Sequence, residues 1–362
     1  MRYASIDLLR TLAIFVMVIV HFGENLSGYT SPLVGFGAPL FAFLSGASYF
    51  LWVHGLEAHG IVDTHISKVS VRRGLFVTGI GFVFNVLVWL PEDTYNWDVL
   101  TFVGTMLLVL NGVRRIPAVI PVMMAGMALL ISPILRSLVD YNSYWQNGYF
   151  ECDPTLADLL IGYLVTGYFP VLPWMVFALS GHTAARYLFT AGPLEQSQDS
   201  RPGTLSLLGG VLMIAALGAL SLRSFFPTPV QTMVGSWTMF PPSSVYVTFT
   251  LGLALLAFGV SHRLIDQRGL LSDRSLVLSL AKTFSRYSLT IYVLHHIVHL
   301  WPLWIYGMMA GQEPTYYWKI ALPITVSIPL AFAFLWLTYL ALRRLGPERT
   351  YGIESWMRWV CD

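Results

Sequence analysis

The chain has 362 residues, of which 56% are hydrophobic and only 11% are charged, and its mean hydropathy is +0.64. Soluble domains carry about 25% charged residues, so this composition excludes an ordinary soluble protein and indicates one that crosses a membrane several times. The net charge of +2 is too small to predict nucleic acid as a partner.

Ten apolar stretches are long enough to cross a bilayer, which requires about 20 mostly apolar residues. They are centred near residues 14, 43, 82, 105, 126, 180, 213, 252, 298 and 331. Asp7 and Arg10 interrupt the first stretch, so we interpret it as a retained span rather than a signal peptide. The sequence therefore predicts an all-α protein, with about ten transmembrane helices in one bundle over residues 1–345 and a C-terminal tail over residues 346–362.

Basic residues are concentrated in alternate loops between these spans. One set of loops holds Lys68, Arg72, Arg73, Arg114, Arg115, Arg186, Arg201, Arg263, Arg268, Arg274, Lys282, Arg286, Arg343, Arg344 and Arg349. By the positive-inside rule, ten spans with both termini in the cytoplasm satisfy every loop. Cys152 and Cys361 then lie on opposite sides of the membrane and form no disulfide. We expect a multi-pass protein of a bacterial plasma membrane.

The first predicted span carries two ionisable residues, Arg10 and His21, eleven positions apart. Eleven residues make about three helical turns, so both side chains share one face and lie about 16 Å apart along the axis. A neutral imidazole at His21 could act as a general base, or it could simply mark the interfacial end of the span. Arg10 could bind phosphate or an acyl carbonyl, or it could be an inner-rim cation paired with Asp7.

The ninth predicted span contains a second polar group of residues. Ser288, Tyr292, His295 and His299 follow the spacing of one helical face, with His296 beside them. The alternatives are a polar seam between helices and a channel for a substrate or acyl donor. No carboxylate or cysteine lies nearby in the sequence, so we predict no metal.

Arg72 and Arg73 open the third span, at its predicted cytoplasmic end. They could contact anionic lipid and set the topology, or they could bind the phosphates of a nucleotide-like donor.

The predicted outer loops are rich in aromatic, amide and acidic residues. Trp and Tyr favour membrane interfaces, but aromatic faces also stack on sugar rings while carboxylates bind hydroxyls. The loop over residues 138–169 is too long for a simple connection, which favours a folded or functional segment. The residues that we predict to bind an acceptor are Tyr168, Trp174, Asp98 and Glu24.

Residues 7–21 (DLLRTLAIFVMVIVH) place ten residues between an arginine and a histidine. This segment resembles the transmembrane acyltransferase superfamily, which includes the acyltransferase-3 proteins and the heparan-α-glucosaminide N-acetyltransferase-like proteins. Further segments of the chain are similar to that group. They are residues 38–46 (APLFAFLSG), 98–104 (DVLTFVG), 168–174 (YFPVLPW), 285–295 (SRYSLTIYVLH) and 346–359 (GPERTYGIESWMRW).

The resemblance implies transfer of an acyl group from cytosolic acyl-CoA, often acetyl-CoA, to a saccharide on the far side of the membrane. His21 would be the catalytic residue. From its place on the same helical face, we predict Arg10 as a second catalytic residue, which could polarise the acyl carbonyl. The donor would bind near Arg10, Arg72 and Arg73, with Ser288, Tyr292 and His295 along its path. Two features depart from the family pattern. The two arginines are adjacent rather than spaced Arg-x-x-Arg, and the loop after the first span lacks the histidine of the lysosomal heparan enzyme.

The main alternative function is a proton-coupled transporter or exporter of a small polar or saccharide substrate, because ionisable groups inside spans also suit a transport pathway. A catalytically silent scaffold is the third alternative. The expected partners of an enzyme are acyl-CoA, an extracytoplasmic saccharide and the lipid bilayer, and a homodimer is compatible with the sequence. The sequence leaves open O- against N-acylation, acyl chain length, and direct transfer against an acyl-enzyme.

Overall fold

The computed structural model describes residues 2–89, 91–189, 201–272, 274–345 and 351–362, and these residues are mostly α-helical. The α-helices are α1 Ala4–Ser27, α2 Gly37–Ala58, α3 Asp63–Phe84, α4 Val99–Val113, α5 Val119–Leu138, α6 Leu156–Ile161, α7 Val171–Phe189, α8 Arg201–Ser221, α9 Thr228–Val234, α10 Ser244–Ser261, α11 Leu276–Arg286, α12 Ser288–Met309, α13 Ile324–Arg344 and α14 Ile353–Cys361. Two short antiparallel strands, β1 Trp145–Gln146 and β2 Tyr149–Phe150, pair Trp145 with Phe150. The predicted all-α class is confirmed.

Within the described ranges, eight helices combine the length and the apolarity of a membrane span. Leu156–Thr166 and Val171–Phe189 form a ninth if the bend of 46° between them lies within one span. Each of these nine contains the centre of a predicted span. The tenth predicted span corresponds to α12, which is 22 residues long but carries three histidines that lower its hydropathy.

A contact made by the C-terminal helix indicates that α12 also crosses the membrane. Glu354 on α14 accepts hydrogen bonds from the backbone N–H groups of Leu289 (2.6 Å) and Thr290 (3.0 Å), at the start of α12. The chain therefore returns to the level at which α12 begins. Since α13 is long and apolar enough to span the membrane, the return requires a second crossing, and α12 is about 33 Å long. That α14 lies on the cytoplasmic side stays a prediction.

The chain forms two compact units. The first comprises Ala42–Arg268, and the second comprises Tyr3–Phe41 together with Gly269–Val360. We call them the central unit and the terminal unit. The prediction of one domain over residues 1–345 is not tested by this division.

Glycines allow very close helix packing in the central unit. A Cβ atom at Gly46 on α2 would lie 1.9 Å from the carbonyl oxygen of Ala178 on α7, and one at Gly181 would lie 1.9 Å from that of Phe43. The two backbones therefore touch directly. Small residues at a helix interface allow backbones to approach this closely.

The long loop of the central unit folds on itself. Trp145 on β1 donates from Nε1 to the carbonyl oxygen of Thr166 across 2.8 Å. Its ring packs against those of Tyr141 and Tyr168, at centroid distances of 5.7 and 5.0 Å. The segment is therefore a small folded unit, as its length predicts.

Helix α1 supplies one face of the core of the terminal unit. Ile14, Val18, Phe22 and Leu26 recur every four residues along α1 and are at most 4% exposed. They pack with buried residues of α11, α12 and α13. The polar residues of α1 are therefore held in a fixed rotation about its axis.

Candidate functional site

Helix α1 runs parallel to the segment formed by α11 and α12, and three polar pairs join them in nearly constant register. Arg10 contacts Ser285, His21 contacts His295 and Asn25 contacts His299, with sequence separations of 275, 274 and 274 residues. A constant separation means that the helices stay side by side over their common length. The predicted polar faces of the first and ninth spans therefore face each other.

His21 and His295 are joined edge to edge. Nδ1 of His21 lies 2.9 Å from Nε2 of His295, and the ring planes differ by only 7°. The ring centroids are 5.2 Å apart, which equals the N···N distance plus the two ring radii. The rings are thus nearly coplanar, and the N···N line lies in their plane, as a well-aligned N–H···N hydrogen bond requires.

The three histidines of α12 each place Nδ1 near a backbone carbonyl oxygen one turn earlier. Nδ1 of His295 lies 3.0 Å from the oxygen of Ile291, and Nδ1 of His296 lies 3.2 Å from that of Tyr292. His299 makes the corresponding contact with the oxygen of His295. Because a carbonyl oxygen accepts hydrogen bonds, these contacts favour a proton on each Nδ1.

Burial differs sharply within this cluster. His295, His296 and His299 are 0%, 1% and 4% exposed, whereas His21 is half-buried. Among the described residues, none forms a hydrogen bond with Nε2 of His21. His21 is therefore the most exposed of these four histidines.

The same cluster contains the group of described residues that could hold a metal ion. One ring nitrogen from each of His21, His295 and His296 lies within 4.8 Å of the others. Carboxylates are absent from this group of described residues. The prediction that the site holds no metal stays a prediction.

Arg10 lies about 16 Å from His21 along α1. Its Nη1 atom donates to the hydroxyl of Ser285 across 2.9 Å and to the carbonyl oxygen of Ser285 across 3.3 Å. The side chain of Asp7, its predicted partner, is 4% exposed. The guanidinium is thus anchored at the end of α11, on the same polar seam as His21.

The remaining predicted residues of the terminal unit lie on or near this seam. Ser288 is the half-buried first residue of α12. The ring of Tyr292 lies 5.8 Å from that of His295. Glu24 on α1 lies 3.7 Å from Nζ of Lys319 at a partly exposed position.

In the central unit, the predicted donor residues differ in their surroundings. Arg72 is exposed. The guanidinium carbon of Arg73 lies 4.4 Å from the centre of the Trp52 ring, a cation–π contact. An exposed and a stacked guanidinium are both compatible with phosphate binding.

The predicted acceptor residues of the central unit have structural roles in this conformation. Asp98 caps α4 by accepting from the N–H of Leu100 across 2.9 Å. Tyr168 packs in the aromatic cluster of the long loop. Trp174 is 0% exposed and contacts the ring of Phe169 at 4.8 Å, so its position does not favour contact with a saccharide.

Sequence reasoning missed Ser285, Asn25 and Trp318 as members of the site. Asn25 lies four residues after His21 and so falls on the same face of α1, a signal that was available. Trp318 donates from Nε1 to Oδ1 of Asn25 across 3.0 Å. It lies in a connection between helices, where no periodic pattern indicates its partner.

Comparison with known proteins places this chain in a family. The sequence model of the heparan-α-glucosaminide N-acetyltransferase catalytic family matches residues 2–222, which include Arg10 and His21 but not the histidines of α12. No curated protein matches the chain. The match covers more than half of the chain and confirms the resemblance found in its segments. The chain therefore belongs to the heparan-α-glucosaminide N-acetyltransferase catalytic family, a family of membrane acetyltransferases.

Proposed function

We propose that this protein transfers an acyl group, most simply acetyl, from cytosolic acyl-CoA to a hydroxyl or amine of an extracytoplasmic saccharide. The observation that carries the proposal is the position of His21. It lies in the first span of a membrane acetyltransferase, it is half-buried, and it is hydrogen-bonded through one ring nitrogen only among the described residues. A bacterial plasma membrane would give the two substrates access from opposite sides.

In this mechanism His21 is the general base. The acceptor oxygen or nitrogen forms a bond to the acyl carbon while its proton passes to Nε2 of His21. The carbon–sulfur bond of the thioester breaks, and the proton returns to the leaving thiolate. General bases of this kind contribute about 10²–10⁴-fold to the rate.

The donor phosphates are proposed to bind to arginines. Arg10 is anchored on the polar seam by Ser285, and its planar guanidinium suits a phosphate oxygen pair. Arg72 and Arg73 are the proposed phosphate ligands in the central unit. Ser288 and Tyr292, on the same face of α12 as His295, would line the path of the acyl chain.

Acceptor recognition is proposed to use carboxylates and aromatic rings. Glu24 lies one turn from His21 on α1 and is partly exposed, which suits a bond to a sugar hydroxyl. Tyr168 could stack on a sugar ring at the surface of the aromatic cluster. Asp98 and Trp174 would need a change of conformation to take part.

The test uses purified protein in lipid nanodiscs with acetyl-CoA labelled in the acetyl group. We expect release of CoA that depends on a saccharide acceptor and falls about 10²–10⁴-fold in His21→Ala. The matched control is His59→Ala, since His59 is an exposed histidine at the end of α2. Unchanged CoA release in His21→Ala would contradict the proposal.

Two further measurements separate the alternatives. Movement of a labelled saccharide across the membrane of vesicles that contain the protein, without acylation of the saccharide, would favour a transporter. Accumulation of acylated protein with donor alone would favour an acyl-enzyme on His21 over direct transfer. Mass spectrometry of surface glycans from cells with and without the protein would identify the acceptor.

A further inference from the structure

The hydrogen bonds of His295 determine which of its nitrogens carries the proton. Nδ1 of His295 lies 3.0 Å from the carbonyl oxygen of Ile291. A carbonyl oxygen can only accept, so Nδ1 must donate. A neutral imidazole has one N–H, and Nε2 of His295 is therefore an acceptor.

The same reasoning then assigns the proton of His21. Its Nδ1 lies 2.9 Å from Nε2 of His295 in nearly coplanar rings. Because Nε2 of His295 accepts, Nδ1 of His21 donates, and Nε2 of His21 keeps its lone pair. The opposite assignment would make His295, which is 0% exposed, a buried cation inside a span, and such charges are costly.

We propose that His295 is a positioning residue that holds His21 in the tautomer protonated on Nδ1 and so leaves Nε2, the ring nitrogen not bonded to His295, as the basic one. The catalytic consequence rests on the proposed function, whereas the tautomer itself does not. His295 also stabilises His21 after His21 has taken a proton. Once Nε2 takes a proton, the imidazolium of His21 keeps its bond to the lone pair of His295.

His295 thus takes the place that a carboxylate has in a Ser-His-Asp triad. A neutral acceptor suits this location because a carboxylate buried in a span would itself need a countercharge. The carbonyl of Ile291, one turn earlier on α12, fixes the acceptor in turn. A chain of hydrogen bonds therefore runs from the carbonyl of Ile291 through His295 to His21, and Nε2 of His21 takes the substrate proton.

The distances favour a proton over a metal ion between these rings. Two imidazole nitrogens bound to one tetrahedral zinc ion at 2.0–2.1 Å lie about 3.3 Å apart. The observed separation of 2.9 Å is that of an ordinary N–H···N bond. A divalent ion held by neutral imidazoles alone would also bring an uncompensated charge into the span.

The first experiment reads the tautomer without any substrate. The full-length protein in nanodiscs is labelled with ¹⁵N-histidine, and the signals of His21 are assigned by their loss in His21→Gln. We expect a protonated Nδ1 and an unprotonated Nε2 in the wild type and in His295→Gln, whose amide oxygen can accept the same bond. In His295→Leu we expect the proton to move to Nε2. A wild-type His21 protonated on Nε2 would overturn the proposal, and this result needs no His295 variant to fold.

The second experiment measures the catalytic consequence. We expect kcat to fall about 10²-fold or more in His295→Leu, because loss of the orienting group of a catalytic histidine costs up to about 10⁴-fold in a triad. His295→Gln should recover most of this loss, and the KM for acyl-CoA should change less than twofold in both variants. His182→Leu, a buried histidine of the central unit, is the matched control. A loss in His295→Leu that His295→Gln does not recover would overturn the proposal.

The tautomer measurement tests the positioning of His21, whereas the kinetic measurement also depends on the proposed function, so the failures of the two can be distinguished. If no variant and no wild-type protein consumes acyl-CoA while the tautomer signals behave as expected, the proposed function fails and the positioning of His21 stands. Elemental analysis adds one more criterion. One equivalent of zinc retained by the wild type and lost in His295→Leu would overturn the proposal, because the metal would then replace the proton on Nδ1.

Discussion

The side-chain amide of Asn25 donates to Nε2 of His299 across 2.8 Å, one helical turn beyond the contact of His21 with His295. Asn25 also accepts a hydrogen bond from Nε1 of Trp318 across 3.0 Å. The amide is therefore satisfied on both sides, by α12 and by the connection that follows it. These two hydrogen bonds of Asn25 fix the axial register of α1 against α12 near His21.

We expect Asn25→Leu to destabilise the protein by about 1–3 kcal/mol, because it leaves His299 and the indole of Trp318 without their partner. Trp318→Phe removes only the indole donor and should cost less. The double variant should cost less than the sum of the two single variants, since they remove a shared bond. Thermal unfolding in detergent measures all three. Additive losses would show that the bond between Asn25 and Trp318 contributes nothing.

Arg10 and Ser285 offer a test of donor binding. Arg10→Ala should raise the KM for acyl-CoA about tenfold or more, since charge-assisted hydrogen bonds are worth about 1.5–3 kcal/mol. Arg10→Lys should recover only part of the affinity because an ammonium lacks the planar fork of donors. Ser285→Ala keeps the carbonyl contact with Arg10 and should raise the KM only about twofold to threefold. Steady-state kinetics with varied donor concentration gives these values. An unchanged KM in Arg10→Ala would exclude Arg10 from donor binding.

The contact of Gly46 with α7 predicts that a larger side chain at position 46 strongly destabilises the protein. Gly46→Ala places a Cβ atom 1.9 Å from the carbonyl oxygen of Ala178, so the backbones must move apart. We expect a loss of at least about 3 kcal/mol, the upper end of the usual cost of overpacking. Gly79→Ala on α3 is the matched control, because a Cβ there meets nothing within 4 Å. Fluorescence-detected size exclusion after heating should show early aggregation of the first variant alone.

The docking of α14 should depend on pH through Glu354. Burial raises the pKa of the Glu354 carboxyl, which accepts hydrogen bonds from Leu289 and Thr290. A docked pKa above the undocked value means that docking is strongest below about pH 4.3, the ordinary value for Glu. Docking then weakens as the pH rises through the raised value.

Hydrogen exchange of the amides of α14, corrected for the intrinsic rate at each pH, measures this effect. Protection should decrease from pH 4 to pH 8 in the wild type. It should stay constant in Glu354→Gln, which is uncharged throughout. Glu354→Ala should lose about 1–3 kcal/mol of docking at every pH, because the N–H groups of Leu289 and Thr290 lose their acceptor. Protection that increases with pH in the wild type would contradict the assigned sign.

The membrane spans could be predicted from the sequence because the length of an apolar stretch is a local property. Among the described residues, nine predicted centres fall within helices that are long and apolar enough to span, or within the bent pair of helices. The tenth, centred near residue 298, falls in α12, where three histidines lower the hydropathy and the contact of Glu354 with the start of the helix supports the crossing. Parts of the candidate site were also local. The shared face of Arg10 and His21 follows from the helical repeat alone.

The sequence identified the chemical type of the predicted acceptor residues but not their exposure, and their role in acceptor binding stays a prediction. Asp98 and Trp174 have the right groups for a saccharide, yet Asp98 caps α4 and Trp174 is fully buried. Local sequence specifies the side chain but not which neighbours surround it. The exposure of a side chain depends on which elements pack against it, and these elements can lie far apart in the chain.

By itself, the sequence determined which segments enter the membrane and which residues share a face of each helix, because hydropathy and the helical repeat act over a few neighbouring residues. Only the tertiary structure decided that His21 meets His295 and that Asn25 meets His299, across 274 residues of chain. These pairings depend on the rotation and axial register of α1 against α12. The rotation and the axial register are set by packing of the apolar face of α1. Hydrogen bonds form only when both are nearly correct, because their distances and angles are narrowly limited.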